Sequence, residues 1–230
     1  MSEEIKELFS RIAPKYDFLN GLLSLSIDRY WRREAVSHLA TPSFKKVLDL
    51  CAGTLSMTLE LLKQNPTAQI EALDFSESML QAGKKRIPSS LKKQIGLFCA
   101  DSLALPFSDK TFDGAMCAYG LRNVDDNRKA LLELYRVLRP GGRLVILEFF
   151  RPDRFATRLF HSTYGRFFIP ALGRLVSRHP SAYSYLKNSV KKFHSTSEYS
   201  KLLADSGFEK IEVHRQTGGV STLLIAEKSS

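Results

Sequence analysis

The sequence predicts an α/β protein with a parallel sheet that helices cover on both faces. Short apolar runs of strand length recur along the chain, and amphipathic stretches with helical spacing separate them. The chain has 230 residues, which is more than one average domain of about 150 residues and too few for two. We therefore expect one domain with an elaboration.

The predicted elements alternate between strand and helix along the chain. Residues 1–40 are predicted to be helical, because apolar residues recur at three- and four-residue spacing from Ile5 to Ala13. Pro140-Gly141-Gly142 is predicted to end a helix, since proline cannot continue a helix and glycine tolerates the turn after it. The candidate strands are Val47–Cys51, Ile70–Leu73, Ile95–Cys99, Gly114–Ala118 and Leu144–Leu147, and the helices between them are Met57–Lys63, Ser76–Arg86 and Asn127–Leu138.

Residues 151–194 interrupt this alternation. Apolar and aromatic side chains recur there every three or four residues with arginines between them, which is typical of basic amphipathic helices. Beyond this block, residues 195–206 are predicted to form a capped helix. Two strands, 208–213 and 220–226, come after it and are joined by a Gly218-Gly219 turn. We expect residues 151–194 to be an insertion before these closing strands.

Positive charge is concentrated in the same block. The chain carries a net charge of +10, and residues 151–194 hold nine basic residues against one acidic residue, a net charge of +8. Such a surface suits anionic lipid at a membrane interface, and it suits nucleic-acid phosphates equally well. The charge alone leaves both classes of partner open.

Cysteines and histidines give no sign of a disulfide framework or a metal site. Cys51, Cys99 and Cys117 are odd in number and set in apolar runs, so we expect three reduced core residues. The five histidines are scattered without the spacing of metal ligands, which predicts no metal. The first seven residues lack the basic start and apolar stretch of a secretory signal, which predicts a cytoplasmic protein.

Acidic residues accompany three successive predicted strands, at the edge where such folds bind nucleotide-like ligands. Asp49 lies in the first strand, which runs into Ala52-Gly53-Thr54 and a helix, and Asp74 and Asp101 come after the next two strands. A carboxylate at the place of Asp74 can accept both ribose hydroxyls, and one at Asp101 can accept from the exocyclic amine of adenine. Helix capping would account for any one of these acids, but three at successive strands favour a ligand site.

The loop after the first strand does not have the chemistry of a phosphate site. Neither the Gly-x-Gly-x-x-Gly pattern nor a lysine-bearing phosphate loop is present, and Leu55 stands where glycine would let the backbone approach a pyrophosphate. Carboxylates around the site also disfavour a polyanion. A ligand with a ribose, an adenine and a positive centre fits better, and S-adenosylmethionine has all three.

Seven motifs lie in order along nearly the whole chain. They are Phe9-x-x-Ile12-Ala13-x-x-Tyr16-Asp17-x-x-Asn20, Asp49–Thr54, Leu73–Leu80, Ala100–Phe107, Tyr119–Val124, Arg136–Gly142 and Tyr183-x-Tyr185-Leu186-x-x-Ser189-Val190-x-x-Phe193. Together they resemble the motifs of the ubiquinone/menaquinone biosynthesis C-methyltransferases of the UbiE type. The Asp-x-x-x-Gly and Pro-Gly-Gly pieces are typical of class I methyltransferases in general, whereas Gly-Leu-Arg-Asn-Val and Tyr-x-Tyr-Leu-x-x-Ser are much more specific.

The resemblance implies a fold and a reaction. The fold is a Rossmann-like class I methyltransferase with a seven-stranded, mostly parallel sheet, an antiparallel last strand, a helical N-terminal segment and a helical cap insertion. The reaction is the S-adenosylmethionine-dependent C-methylation of a polyprenylated quinol precursor, either a demethylmenaquinol or a methoxybenzoquinol. The implied cofactor-binding residues are Asp49, Gly53, Thr54, Asp74, Asp101, Ser102 and Ala118.

The position of each residue in its motif implies what it faces. Gly53 and Thr54 would face the methionine part of the cofactor, and Asp74 would face the ribose. Asp101 and Ser102 would face the adenine. Ala118 falls where the family often has a serine near the cofactor.

The acceptor side is assigned from the needs of the reaction. A sulfonium methyl is already electrophilic, so the enzyme must mainly align it with the ring carbon and stabilise negative charge on the ring oxygen. Arg122, with Asn123 beside it, is the candidate for this catalytic role, and a pair that only fixes the loop is the alternative. Tyr16 is assigned to a segment that closes over the cofactor, and Tyr183 and Tyr185 to the substrate pocket. A helix end and simple packing are the alternatives for these tyrosines.

Two departures from the family's pattern leave other functions open. The family usually reads Gly-Thr-Gly-Asp where this chain has residues 53–56, and it has Gly and His where Ser26 and Asp28 stand. Leu55 is expected to add a side chain where the backbone passes close to the cofactor. The alternatives are an RNA or other small-molecule methyltransferase and a non-catalytic partner with a methyltransferase fold.

The isoprenoid tail of the implied substrate favours a membrane as the partner of the basic block, and a cap that packs on the sheet with a solvated basic face is the alternative. A tailed quinol resides in the membrane, so residues 151–194 are expected to contact an anionic membrane surface peripherally, and nucleic acid is disfavoured. The sequence leaves a homodimer open.

Overall fold

A computed structural model describes residues 26–152, residue 185 and residues 188–229. Its strands are β1 Lys46–Leu50, β2 Gln69–Asp74, β3 Ile95–Cys99, β4 Phe112–Ala118, β5 Leu138–Glu148, β6 Phe208–Gln216 and β7 Ser221–Lys228. Its helices are α1 Asp28–Ser37, α2 Ser56–Gln64, α3 Glu77–Lys84, α4 Asn127–Val137 and α5 Thr196–Asp205, with short 3-10 turns at Ser89–Gln94, Leu121–Asn123 and Thr217–Gly219.

The seven strands form one sheet in the order β3-β2-β1-β4-β5-β7-β6. Strand β7 runs antiparallel to both of its neighbours, and the other pairings of the described sheet are parallel. This confirms the predicted seven-stranded, mostly parallel sheet with an antiparallel last strand. The strand order reverses between β1 and β4, and folds of this kind bind ligands in the crevice at such a switch point.

The central strands are mainly apolar because helices cover both faces of the sheet. In β1, Leu48 packs into the cluster on one face with residues of α4 and α5, and Val47 packs into the cluster on the other face with residues of α1 and α2. Both side chains are fully buried. The apolar runs of the central strands are therefore buried parallel strands, as predicted, whereas the edge strand β3 is only partly buried.

The predicted turn at Pro140-Gly141-Gly142 is instead part of strand β5. Helix α4 ends at Val137, and the chain continues directly into β5, whose register against β4 shifts between Phe112 and Gly114. The three residues form a bulge in which Gly141 has a φ of 73°. The proline and glycines do end the helix, but pairing with β4 makes the segment after it a strand.

The closing hairpin forms as predicted, with the Gly218-Gly219 turn between β6 and β7. Helix α1 is the described part of the helical segment predicted over 1–40, and residues 1–25 lie outside the described residues. Most of the predicted insertion 151–194 also lies outside them. At its two ends, Arg151 forms an isolated parallel bridge with Ser195, so these two residues lie side by side.

In the two ranges that the structure describes, no helix combines the length and the apolarity that a membrane span needs.

Candidate active site

A cleft opens at the carboxyl edge of the sheet, where β1 and β4 lie side by side. It encloses about 640 Å³ with its open mouth included. Several residues predicted from the sequence meet in its wall. They are Gly53, Asp74, Asp101, Ser102, Ala118 and Asn123.

Asp74 ends β2 and holds the loop after β1. One of its carboxylate oxygens accepts a hydrogen bond from the N–H of Gly53 at 2.8 Å, and the other accepts from the N–H of Ser76 at 2.8 Å. Burial raises the pKa of Asp74, and these backbone donors oppose the shift. Each oxygen has a second lone pair, so the carboxylate can still accept from ligand hydroxyls in the cleft.

Asp101 and Ser102 come after β3 and line the cleft beyond Asp74. The Oδ1 atom of Asp101 accepts from the N–H of Leu103 at 2.9 Å, and no described residue donates to its Oδ2. Asp101 is exposed, whereas Ser102 is buried. The pair therefore offers a free carboxylate oxygen and a hydroxyl to a ligand with an exocyclic amine.

Asp49 and Thr54 lie beneath the cleft wall rather than in it. The Oδ2 atom of Asp49 accepts from the N–H of Thr58 at 3.1 Å and from its hydroxyl at 2.6 Å. Thr58 lies in the first turn of α2, where Leu55 provides no capping side chain, so Asp49 satisfies the start of this helix. Thr54 is buried, and its carbonyl accepts from Arg86 at 2.8 Å. Both residues therefore support the loop through contacts within the protein. The cofactor contacts that the resemblance implied for them stay a prediction.

The pKa of Asp49 lies well above the usual value of an aspartate. Burial raises its pKa to about 7, although hydrogen bonds from Thr58 and the charge of Arg32 oppose the shift. Its Oδ1 atom is buried and has no hydrogen-bond partner among the described residues. The loop therefore rests on a group that changes charge near neutral pH.

Leu55 turns away from the cleft. Its backbone adopts the left-handed region, with φ 65° and ψ 27°, and its fully buried side chain packs with Ala72 and Leu80. Gly83 of α3 makes room for it, because a β-carbon at Gly83 would lie 2.6 Å from Cγ of Leu55 and 3.0 Å from the carbonyl carbon of Thr54. The expectation that Leu55 adds a side chain along the path of a cofactor is wrong.

Arg122 is the middle residue of the 3-10 turn 121–123 and does not line the cleft. Its Nη1 atom donates to Glu148 at 2.9 Å and to the carbonyl of Tyr119, and its backbone N–H donates to Glu148 at 3.3 Å. The exposed fractions of the Arg122 and Glu148 side chains are 6% and 1%. This geometry supports the alternative in which Arg122 fixes the loop, and a direct contact with an acceptor ring stays a prediction.

Asn123 and Tyr185, from the two most specific motifs, meet at the cleft. The hydroxyl of Tyr185 donates to Oδ1 of Asn123 at 2.6 Å, and Asn123 lines the cleft. The structure therefore places Tyr185 beside the end of β4. Tyr16 and Tyr183 lie outside the described residues.

Two aromatic rings stack between two arginines at the same end of the cleft. The rings of Tyr119 and Phe149 stack with centroids 4.4 Å apart. The guanidinium carbon of Arg122 lies 5.8 Å from the centre of the Phe149 ring, and that of Arg32 lies 5.1 Å from the centre of the Tyr119 ring. The sequence interpretation missed this stack and Glu148. The strand-end position of Glu148 was a usable signal, whereas no local pattern places Arg32 beside Tyr119.

The three cysteines lie in different environments. Cys117 is buried, Cys51 is half-buried and lines the cleft, and Cys99 is exposed. The expectation of a core position is wrong for Cys99, because it ends the edge strand β3. A hydrogen bond with Cys51 and burial raise the pKa of the Cys117 thiol. Across the described part of the chain, no cluster of three or more histidine, cysteine or carboxylate residues could hold a metal ion.

Known proteins resemble the chain over almost its whole length. The model of the ubiE/COQ5 methyltransferase family matches residues 1–228. The chain is 42% identical over 231 residues to the ubiquinone/menaquinone biosynthesis C-methyltransferase UbiE of Geobacter sulfurreducens, with 98% of this chain and 89% of that protein covered. It is 37% identical over 228 residues to the demethylmenaquinone methyltransferase of Bacteroides fragilis, with 99% and 93% covered.

Solved structures share the fold at low sequence identity. The SAM-dependent methyltransferase of Thermotoga maritima, described as a possible histamine N-methyltransferase, superposes with a TM-score of 0.67 at 20% identity, covering 97% of this chain and 99% of that one. Human N-acetylserotonin methyltransferase, solved in complex with SAM, superposes with a TM-score of 0.60 at 18% identity, covering 86% and 52%. At this identity the likeness establishes a Rossmann-like methyltransferase fold.

Proposed function

The chain belongs to the ubiE/COQ5 methyltransferase family, and on that basis we propose that it transfers a methyl group from S-adenosylmethionine to a ring carbon of a polyprenylated quinol precursor. The observation that carries the proposal is the convergence of Asp74, Asp101 and Ser102 on one cleft at the switch point of the sheet. Relatives named for methylation of demethylmenaquinone or of ubiquinone precursors match nearly the whole chain, which supports a quinol acceptor.

The residues of the cleft fit S-adenosylmethionine. Asp74 has lone pairs left for the ribose hydroxyls, and Oδ2 of Asp101 and the hydroxyl of Ser102 suit the adenine. Two carboxylates in the wall also complement the cofactor's positive charge. When bound, the cofactor supplies a methyl group that its sulfonium makes electrophilic.

The chain itself contributes alignment. The buried pair of Arg122 and Glu148 holds the turn 121–123 against the end of β5, and the hydrogen bond from Tyr185 fixes the amide of Asn123. Asn123 is thereby held in the cleft wall, where it can help to align the acceptor ring with the methyl group. Alignment of the two reacting groups supplies a large part of the rate enhancement in such a reaction. Within the described residues no histidine lines the cleft. The ring carbon exchanges its hydrogen for the methyl group, and water accepts the released proton.

Methyl transfer to a quinol tests the proposal directly. Purified protein is incubated with S-adenosylmethionine labelled in its methyl group and a short-chain demethylmenaquinol, and the products are analysed by mass spectrometry. The proposal predicts labelled menaquinol and an equal amount of S-adenosylhomocysteine. Binding of the cofactor without methylation of demethylmenaquinol or a methoxybenzoquinol would contradict the quinol acceptor. In cells that lack the protein, a demethyl precursor is expected to accumulate.

The basic block 151–194 supports a peripheral contact with the membrane surface in this proposal. Its net charge of +8 would attract anionic lipid, at about 1 kcal/mol for each basic residue that lies near the surface. A quinol with an isoprenoid tail resides in that membrane. Sedimentation with anionic liposomes is expected to carry the protein down, and salt should release it. A gel shift with RNA in the absence of liposome binding would favour an RNA methyltransferase.

A further inference from the structure

The methionine end of S-adenosylmethionine carries a negatively charged carboxylate, and the described cleft wall offers no cation to pair with it. This end carries an α-ammonium and an α-carboxylate, and a carboxylate in a partly buried site is stabilised most by a paired cation. The described part of the wall contains the carboxylates of Asp74 and Asp101 and no lysine or arginine. Among the described residues, a cation for the α-carboxylate has to come from beside this wall.

Arg32 of α1 reaches the cleft at Tyr119. Its guanidinium carbon lies 5.1 Å from the centre of the Tyr119 ring, and Tyr119 is part of the wall. Burial raises the pKa of both Asp49 and Tyr119, and the charge of Arg32 opposes the shift in each case. The guanidinium therefore lies close to β1 and to the end of β4, and the resemblance implies that the loop after β1 and Ala118 of β4 would lie near the cofactor.

The guanidinium of Arg32 is held in place with most of its donors unused. The exposed fraction of its side chain is 11%. Its Nε atom donates to Asp28 at 3.4 Å, and this long contact is its one hydrogen bond within the described residues. Arg122, at the other end of the aromatic stack, is already paired with Glu148. An arginine anchored at Nε and packed on a ring presents its two terminal nitrogens as a fork, the geometry that binds a carboxylate with two parallel hydrogen bonds.

We infer that Arg32 binds the α-carboxylate of S-adenosylmethionine through its two terminal nitrogens. This inference rests on the proposed function, because it completes the same cofactor site. The ligand group is the carboxylate of an amino acid, and the recognition does not depend on which acceptor is methylated.

Calorimetric titration of the full chain with two ligands tests the inference. The ligands are S-adenosylmethionine and its decarboxylated analogue, which keeps the nucleoside, the sulfonium and the ammonium and lacks only the carboxylate. Arg32→Met is expected to weaken binding of S-adenosylmethionine roughly 10- to 100-fold, since hydrogen bonds between charged groups are lost. The affinity for the decarboxylated analogue should stay within about twofold of the wild-type value.

Arg33→Met is the matched control. Arg33 is the next residue on the same helix and is exposed, so the variant removes the same charge and should bind both ligands as the wild type does. Arg32→Lys should recover part of the selectivity for the carboxylate, because an ammonium supplies the charge without the fork. Arg32→Gln replaces Arg32→Met in the comparison if the methionine variant does not fold.

The inference is overturned if an Arg32 variant lowers the affinity for both ligands equally, since the role of Arg32 is then structural. It is also overturned if the variant lowers the affinity for neither ligand. A wild-type protein that binds the decarboxylated analogue and S-adenosylmethionine equally well also contradicts it. A wild-type protein that binds neither ligand contradicts the proposed function itself, so the two failures are distinguishable.

Discussion

The two ends of the cleft are built in different ways. At the end proposed to bind the nucleoside, called the nucleoside end below, Asp74 and Asp101 arrive from strand ends, are fixed by backbone N–H groups, and keep acceptor capacity for a ligand. At the end formed by β4 and β5, the buried side chains of Arg122 and Glu148 pair with each other. The carboxylates of the first end keep capacity for a ligand, whereas the Arg122–Glu148 pair holds the shape of the turn 121–123. Substitutions should therefore cost mainly affinity at the nucleoside end and mainly stability at the β4–β5 end.

The largest effect is expected when the buried pair of the β4–β5 end is broken. Glu148→Gln removes the carboxylate that pairs with the guanidinium of Arg122, in a site where both side chains are almost inaccessible. The free energy of unfolding should fall by about 3–5 kcal/mol, measured by chemical denaturation. The double variant Arg122→Gln/Glu148→Gln should lose less than the sum of its single variants, because no unpaired charge remains. A decrease of less than about 1 kcal/mol in the free energy of unfolding of Glu148→Gln would contradict the stabilising role assigned to the β4–β5 end.

Asp49 extends the comparison to pH, because it supports the cofactor loop from beneath. Its pKa is about 7 in the folded chain and about 4 in an unfolded one. The unfolded chain therefore loses this proton first as the pH rises, so the free energy of unfolding should fall between about pH 4 and 7, by up to about 4 kcal/mol, and level off above pH 7. Asp49→Asn should lose this slope. Denaturation curves at several pH values measure it, and equal slopes in the two proteins would rule out the role of Asp49.

The contact between Leu55 and Gly83 tests whether the altered loop is accommodated as the structure shows. Gly83→Ala places a β-carbon 2.6 Å from Leu55, and such overpacking costs about 1–3 kcal/mol, partly offset by a gain in helix propensity of about 1 kcal/mol. We expect a net loss of about 1 kcal/mol in the free energy of unfolding and weaker cofactor binding. In a Leu55→Gly background the same change should cost less, because only the contact with the carbonyl carbon of Thr54 remains. Identical effects in both backgrounds would show that the two residues do not touch.

The smallest effect on stability is expected at Asp101. Asp101→Asn keeps an oxygen for the N–H of Leu103 and loses the acceptor that faces the ligand. Cofactor affinity should fall about 10-fold, while the free energy of unfolding changes by less than about 0.5 kcal/mol. Calorimetric titration and denaturation on one preparation measure both. A loss of stability in Asp101→Asn with unchanged cofactor affinity would show that Asp101 stabilises the fold and does not bind the cofactor.

The nucleoside end was predictable because its features are local. A short apolar run predicts a buried strand, and an acid directly after it is carried to the edge of the sheet by the strand itself. Asp74, Asp101 and Ser102 therefore lie in the cleft wall where the sequence placed them. The sheet and its antiparallel strand were predictable from the pattern together with the family resemblance.

The β4–β5 end was less predictable because it depends on contacts between distant parts of the chain. Arg122 is neutralised by Glu148, which lies 26 positions away in the chain, and no periodic pattern encodes that pairing. The direction of Leu55 is set by Gly83 across a helix–loop contact. The state of Pro140-Gly141-Gly142 is set by pairing with β4. In each case tertiary packing overrides what the local residues favour.

The central claim is that the loop carrying Leu55 preserves a cofactor cleft whose nucleoside end is anchored by Asp74. Calorimetric titration of the wild type and of Asp74→Ala with S-adenosylmethionine tests it most directly. We predict saturable binding of one cofactor per chain to the wild type and an affinity about 100-fold lower for Asp74→Ala, since two charged hydrogen-bond acceptors are lost. No saturable binding to the wild type at millimolar cofactor, or equal affinity in the two proteins, would contradict the claim.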